Sequence, residues 1–577
     1  MRVNLTSLFS VLLIVMMSAR GAYSADLLNT PAVIAEPVWA PKGMVSSQDG
    51  IATQVGVDIL EQGGNAVDAA VAVGFALAVT LPQAGNLGGG GFMLVHMAEA
   101  NETVAIDYRE MAPAAAFRDM FLFKDGSVDK NRSRFHGLAI GVPGTVKGLL
   151  EAHRRYGVLP LDKVIGPAIS LAAGGFQLGH QLAMSLREAS ERLLRNDAAA
   201  DIFYRADGTP YQAGERLLQI DLAHTLQQIA RHGADGFYQG PVAERLVAAV
   251  QKAGGSMTLQ DLLDYEVKLR KPVRGLYRGH PIVSMPPPSS GGVHIVQMLN
   301  MMEPYEIAEM GHNSADTIHI MAEIMRRAYA DRSEYLGDPD FYPVPVDHLT
   351  FKDYAIDLVR GIDPFKASPS DSVRPGLEPA YESPQTTHYS VVDRWGNAVS
   401  NTYTLNFSYG SGIVADGTGV LLNNEMDDFS AKPGAPNAYG LIGGEANAVA
   451  PRKRPLSSMS PTFVFNAEDN GVMLITGSPG GSRIITTTLQ IIINVIDHRM
   501  NIAEATQASR FHHQWWPDRI LLEKGISIDT INLLQKKGHS VEYTTWPMGS
   551  TQSILRSEDG WTGASDPRQS GSLTAGH

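Results

Sequence analysis

The feature that most constrains this chain is an abrupt change of character between residues 385 and 386. The tract from Asp363 to Gln385, "DPFKASPSDSVRPGLEPAYESPQ", is rich in Pro, Ser and Asp, has no hydrophobic period and reads as an exposed linker. Immediately after it comes β-alternation: "HYSVVD", "NAVSNTYTLN", "GVLLNN", "TFVF" and "VMLIT". "TTHYSVV" and "AVSNTYTLN" are separated by "DRWGN", a loop length and composition suited to a β-hairpin. Centring that hairpin on Trp395 sets Val391 against Val399, Ser390 against Ser400 and Thr386 against Thr404. Because strand side chains alternate, Thr386, His388, Thr402 and Thr404 share one face, with Asn406 further along it. Thr387 and Tyr389 point to the other face.

Threonine is a good strand former and cross-strand threonine pairs are common, so on these residues alone a structural role is the better fit. A mid-chain threonine is also a poor nucleophile, because nothing takes its proton; His388 is one candidate base. Cleavage between Gln385 and Thr386 supplies a better one. The new α-amine, with a pKa near ~8, sits on the nucleophile's own residue. Thr386 therefore reads as a masked N-terminal nucleophile behind an accessible linker.

Upstream, "SQDGIATQVGVDILEQGGNAVDAAVAVGFALAVT" carries two helical patterns broken at Gly63-Gly64-Asn65, the second apolar nearly all round and so deeply buried. The run Gly88 to Gly91 lacks the Lys-Ser/Thr of a phosphate loop and leads into a strand, which favours close backbone packing at a sheet edge. "TVAIDYREMAP" reads as a strand ending in a loop with Arg109, and residues from about 140 to 335 read as mostly helical.

Glu425, Asp427 and Asp428 crowd one short loop, where a metal, an ammonium group or plain solvation would serve. Ser457 and Ser458 follow three basic residues, a pairing that can hold a carboxylate or form a polar turn. "ITGSPGGSR" runs from strand to helix, leaving the N–H groups of Gly480 and Gly481 free for an anion, a developing oxyanion being one candidate. In "RFHHQWWPD" neighbouring side chains diverge, so packing is expected there rather than zinc ligation. No metal site or cofactor is expected.

At 577 residues the chain needs two large folding units or more. Its net charge of -13 argues against a nucleic-acid partner. With no cysteine, disulfides and thiol chemistry are excluded. Arg2, the apolar stretch from Leu5 to Met17 and the small residues Ala22 and Ser24 form a signal peptide over residues 1–24, and no later segment reads as a membrane anchor. An exported, soluble, periplasmic or secreted protein is expected.

The ordered set "NAVDAAVAVGFALAVTLPQAGNLGGGGFM", "DYREMAP", "PPPSSGGVH", "TTHYSVVDRWGNAVSNTYTLNFSYG", "NNEMDDFSAKPG", "KRPLSSMSPT", "TGSPGGSRI" and "GASDPR" resembles the γ-glutamyltranspeptidases, N-terminal nucleophile hydrolases. The resemblance implies an α+β, four-layer αββα sandwich made of a large subunit (25–385) and a small catalytic subunit (386–577), a heterodimer produced by self-cleavage. It implies Thr386 as nucleophile, supported by Thr404, with Gly480 and Gly481 as oxyanion donors. Arg109, Ser457 and Ser458 would hold a glutamyl α-carboxylate, and Asn406, Glu425 and Asp428 its α-ammonium. Tyr439 would sit on a lid. Position 425 is Glu where some bacterial relatives have Gln, and both can accept from an ammonium. The substrates implied are glutathione and related γ-glutamyl compounds, with water, amino acids or dipeptides as acceptors. A glutaryl or cephalosporin acylase, which would not need Asp428, and an uncut exported binding protein are the alternatives.

Overall fold

A computed structural model describes residues 35–373, 386–432 and 444–577. The expected hairpin is its centre. Strand Thr387–Val392 pairs antiparallel with Ala398–Thr404 in the expected register, Val391 opposite Val399 and Ser390 opposite Ser400. The hairpin lies inside a seven-stranded antiparallel sheet. In spatial order its strands are Leu573–Gly576, Met44–Ser47, Thr387–Val392, Ala398–Thr404, Gly90–Met97, Glu102–Tyr108 and Lys268–Arg270. A second antiparallel sheet stacks on it, in the order Val38–Ala40, Gly560–Ser565, Gln552–Ser557, Val472–Thr476, Thr462–Phe465, His280–Ser284 and Val273–Tyr277.

The alternation of the hairpin assigns its two faces to two different environments. Tyr389, Val391, Val399 and Tyr403 belong to the core beneath helix Ala66–Thr80. The Tyr403 hydroxyl donates to the Gly74 carbonyl at 2.9 Å, and Tyr389 meets Tyr403 edge-on at 6.0 Å, worth roughly 0.5–1.5 kcal/mol beyond area burial. All fifteen residues of that helix are buried, as its all-round apolar composition requires, and Asn65 with Asp68 closes its N-terminus as a capping box. The opposite face looks into the sandwich. There Ser390 donates to the Gln552 carbonyl at 2.8 Å and Ser400 to that of Thr476 at 3.2 Å, tying the sheets together. Phe92, Leu94, Val392, Phe463, Ile475 and Ile554 fill the apolar part of this layer. Helices Gly291–Met302 and Arg483–Ile496 cover the far side of the second sheet. Helix, sheet, sheet, helix: the expected four layers are present.

Three expectations change. Residues 268–284, expected within a mostly helical stretch, form three short strands; the turn between the last two is made by Arg278 and Gly279, both left-handed at φ 48° and 88°. The glycine run serves close packing, but in the sheet interior, since Gly90–Met97 lies between two partner strands. A Cβ on Gly89 would stand 2.0 Å from the Thr404 carbonyl oxygen, and one on Gly90 2.6 Å from a Glu110 carboxylate oxygen. The first part of the expected linker is tied down: Ser370 is fully buried, its hydroxyl donates to the Trp515 carbonyl at 2.6 Å, and Arg326 and Asp518 hold it from either side. Residues 374–385 lie outside the described residues.

Pro37–His577 forms one compact unit, and both sheets interleave strands from either side of position 386. The composition shift there is a change of local chemistry, not a boundary between separate bodies. Cleavage before Thr386 is accordingly expected to leave the two pieces locked together. Cleaved protein should run as one peak in native gel filtration and as two bands after denaturation; two native peaks would contradict this interleaving.

Candidate active site

The hairpin register delivers Thr386 to its partner. The Thr386 hydroxyl donates to that of Thr404 at 3.4 Å, and the Thr404 oxygen accepts the Asn406 N–H at 2.9 Å. Thr386 is half-buried, whereas Thr387 is buried on the other face. Asn406 adopts a left-handed φ of 73° and spends its side-chain N–H₂ on the Asn424 carbonyl at 3.0 Å, leaving its amide oxygen for a cation. His388 is not a base for Thr386. Its nitrogens bond Thr402 at 2.8 Å and Ser390 at 3.1 Å, and complete burial pushes its pKa down to about 3. It is packed so closely against the loop above that a Cβ on Gly477 would lie 2.3 Å from its ring.

Three loops then converge on Arg109. The strand Glu102–Tyr108 ends just before it, and Tyr265 donates to its carbonyl at 2.9 Å. Its guanidinium, fully buried, bonds the carboxylates of Glu425 and Asp428 and the carbonyls of Pro455 and Leu456, the last two at 3.3 and 3.1 Å. Ser457 and Ser458 follow directly. The Ser457 hydroxyl oxygen accepts the Met459 N–H at 3.1 Å, and that of Ser458 accepts from Arg332 at 2.9 Å. With an acceptor position filled on each, both hydroxyl protons are left to donate outward. Of the expected carboxylate-binding and ammonium-binding residues, Arg109 is thus already paired with Glu425 and Asp428, and Ser457 and Ser458 follow the Leu456 carbonyl that it bonds.

Two members of this cluster were missed from the sequence. Glu110 is completely buried, lies 3.7 Å from the Arg109 guanidinium, and meets the Glu425 carboxyl, with no N–H donor from another described residue on either oxygen. Burial pushes its pKa up to about 7 against the pull of Arg109, and burial likewise drives Glu425 well above the carboxylate range. Its signal was its place next to Arg109 at a strand end. Arg332, in helix Ala315–Tyr335, also bonds Ser290 at 2.9 Å, and Ser290 in turn holds the Ser457 carbonyl at 2.8 Å. Nothing in a helical repeat announces such a role.

The turn between Val472–Thr476 and Arg483–Ile496 puts Gly480 and Gly481 at φ 134° and 60°, conformations that favour glycine. Neither N–H donates to a protein acceptor among the described residues. Beside this turn a cavity of about 1690 Å³ has Thr386, Pro479, Gly549 and Ser550 on one wall.

Some candidates do other work. Asp427 turns away to bond Ser133 at 2.6 Å. His512 and His513 are buried and bonded, to Thr486 and to Asp518 with Arg326, the packing role expected. Among the described residues His319, Glu323 and His539 lie close enough to hold a metal, a grouping the sequence reading missed; their donor atoms are engaged with each other, with Arg326 and Arg327, and with backbone. Gln385 and Tyr439 lie outside the described residues.

The γ-glutamyltranspeptidase family model matches residues 52–576. The chain belongs to the γ-glutamyltranspeptidase family. It is 56% identical over 542 residues to the glutathione hydrolase proenzyme of Escherichia coli K12, covering 94% of this chain and 93% of that one. Among solved structures, the γ-glutamyltranspeptidase of Helicobacter pylori is 49% identical with a TM-score of 0.56, over 57% of this chain and 93% of that one. A cephalosporin acylase from Bacillus halodurans is 26% identical with a TM-score of 0.83, over 96% and 99%. The fold is therefore shared with proteins named for two different chemistries. Among the described residues no helix is long and apolar enough to cross a membrane.

The buried imidazole of His388 makes a pH prediction. Its pKa, about 3 when folded, lies below the ~6.5 of an unfolded histidine. The unfolded chain therefore takes up the extra proton as pH falls through that window, and stability is lost. The penalty for His388→Gln should accordingly shrink on acidification, by up to about 1.4 kcal/mol per unit between pH 6 and 4, in chemical denaturation. A pH-independent penalty would contradict the buried neutral ring.

Proposed function

We propose that this chain is a self-cleaving γ-glutamyl hydrolase and transferase that breaks the γ-glutamyl amide of glutathione and related compounds. The observation that carries this is the cluster at Arg109: one buried guanidinium, the carboxylates of Glu425 and Asp428, and two serine hydroxyls with protons to donate, joined to the Thr386–Thr404 pair through Asn406 and the Asn424 carbonyl next to Glu425. A free α-amino acid end is a zwitterion, and this cluster is its electrostatic complement. On binding, the α-carboxylate would replace the internal carboxylates on Arg109 and take the Ser457 and Ser458 protons. The α-ammonium would take Glu425, Asp428 and the Asn406 amide oxygen. Each buried charge then keeps an opposite partner, which keeps the exchange from stranding an ion.

In maturation, the Thr386 hydroxyl attacks the carbonyl of Gln385; the peptide C–N bond breaks as the ester forms, freeing the Thr386 α-amine, and water then cleaves the ester to release the Thr386 hydroxyl and the Gln385 carboxylate. In turnover that amine takes the hydroxyl proton while the oxygen attacks the γ-carbonyl. The Gly480 and Gly481 N–H groups receive the oxyanion, worth roughly 3–4 kcal/mol per donor in comparable sites. The leaving amine departs with the proton, and a γ-glutamyl ester remains on Thr386. Water or an acceptor amine then attacks that ester, yielding glutamate or a new γ-glutamyl amide. Thr404 steadies the nucleophile. The large (25–385) and small (386–577) subunits would stay paired, Tyr439 would cover the bound group, and residues 1–24 would direct export to a periplasm or beyond.

Thr386→Ala is expected to stay a single band on a denaturing gel and to lose at least about 10³-fold in kcat/KM. Two bands with retained activity would place the nucleophile elsewhere. The acylase reading is separated by Asp428→Asn. It should cost about 10²-fold in kcat/KM for a γ-glutamyl amide while sparing a glutaryl amide, which has no ammonium. Equal losses on both would remove Asp428 from ammonium recognition.

A further inference from the structure

The cavity beside Thr386 extends away from the recognition cluster: Arg109, Glu425, Asp428, Ser457 and Ser458 take no part in its wall, whereas Arg192 does. We propose that Arg192 binds the terminal carboxylate of the peptide on the far side of the scissile amide, first the leaving peptide and then the acceptor that replaces it. This rests on the γ-glutamyl reading and names what the second half of that site selects.

Arg192 is half-buried on the short helix Ser190–Leu193. Its guanidinium lies 5.6 Å over the ring of Phe135, which packs 5.9 Å from Phe407, and it donates to the Ser408 carbonyl. Among the described residues no carboxylate comes within ion-pair distance of it, and its buried Nε–H has no acceptor. The other arginines of this wall differ. Arg195 pairs with Glu191, Arg568 pairs with Glu523 and Asp566, and Arg245 is exposed to water. A partly desolvated cation with an unfilled donor is costly unless an anion completes it, and a planar fork suits a carboxylate.

Its position fits a peptide of two residues. Ser408 follows Thr404 by four residues, at most about 14 Å along an extended chain, and the left-handed Asn406 and Tyr409, φ 73° and 59°, shorten that path. A dipeptide beyond the scissile amide spans about 7 Å, and the side chain of Arg192 closes part of the remainder. Phe135 and Phe407 would then line the path between the reacting carbonyl and the carboxylate.

The test compares glutathione with its C-terminal amide, which keeps the γ-glutamyl end and loses only the distal charge. Native protein is expected to prefer the acid by about 30-fold in kcat/KM, mostly through KM, and Arg192→Gln to collapse that ratio to near one. Arg192→Lys should keep part of it. For transfer, glycylglycine should outdo its amide as acceptor in the same proportion. A native ratio near one overturns the assignment whether or not the variants fold, and so does a ratio that survives Arg192→Gln. Turnover of a γ-glutamyl anilide with acid and amide equal would overturn this assignment alone. Native protein inert toward all three compounds would overturn the γ-glutamyl reading and this one with it.

Discussion

Everything in this molecule is arranged around one strand pairing. Thr387–Val392 against Ala398–Thr404 puts Thr386 at the open end of a buried hairpin, with Thr404 as its cross-strand neighbour. One face of the hairpin is anchored by aromatic and aliphatic side chains under helix Ala66–Thr80, and the other by hydroxyls bonded to the second sheet. A slip of one residue would turn every polar group toward the helix and every tyrosine toward the other sheet. The glycines behind Thr404 permit the neighbouring strand to press close enough to hold that register. The position of the candidate nucleophile therefore follows from the packing of the whole sandwich, not from local loop geometry.

The second constraint is electrostatic. Around a single guanidinium the fold buries three carboxyl groups, from Glu110, Glu425 and Asp428, contributed by two loops that meet only when the sheets are assembled. Burial first, and the neighbouring carboxyls after it, raise the pKa of Glu110 and Glu425 against the pull of Arg109. Such a cluster is poorly justified as a stabilising device, since buried ion pairs rarely outperform apolar packing. It is well suited to exchanging partners with a zwitterion. This separates the γ-glutamyl reading from the acylase one, where the shared fold cannot.

Much of this was legible in the sequence because period-2 alternation around "DRWGN" dictates a register, and a register dictates which threonines meet. The glycine turn from strand to helix was legible too, and its angles at 480 and 481, φ 134° and 60°, are ones that favour glycine. What stayed hidden depends on long-range packing. Arg332 and Arg192 sit in helical stretches with no periodic mark, and only the tertiary fold sets them against Ser458 and against the cavity. Glu110 was overlooked beside Arg109 because a charged residue at a strand end is normally solvated; here it is sealed in. The strands at 268–284 are too short and proline-flanked to show alternation, and the clamp on Ser370 is invisible in a tract whose composition reads as loop.

The central claim is that a γ-glutamyl group is held on the Thr386 oxygen during turnover. Its most direct test is an acid-quenched reaction with a γ-glutamyl amide, followed by intact mass and peptide mapping of the denatured chains. The account predicts a small chain beginning Thr-Thr-His-Tyr-Ser that gains the mass of one γ-glutamyl group, mapped to its first residue. An uncut chain, or an adduct on any other residue, would contradict it.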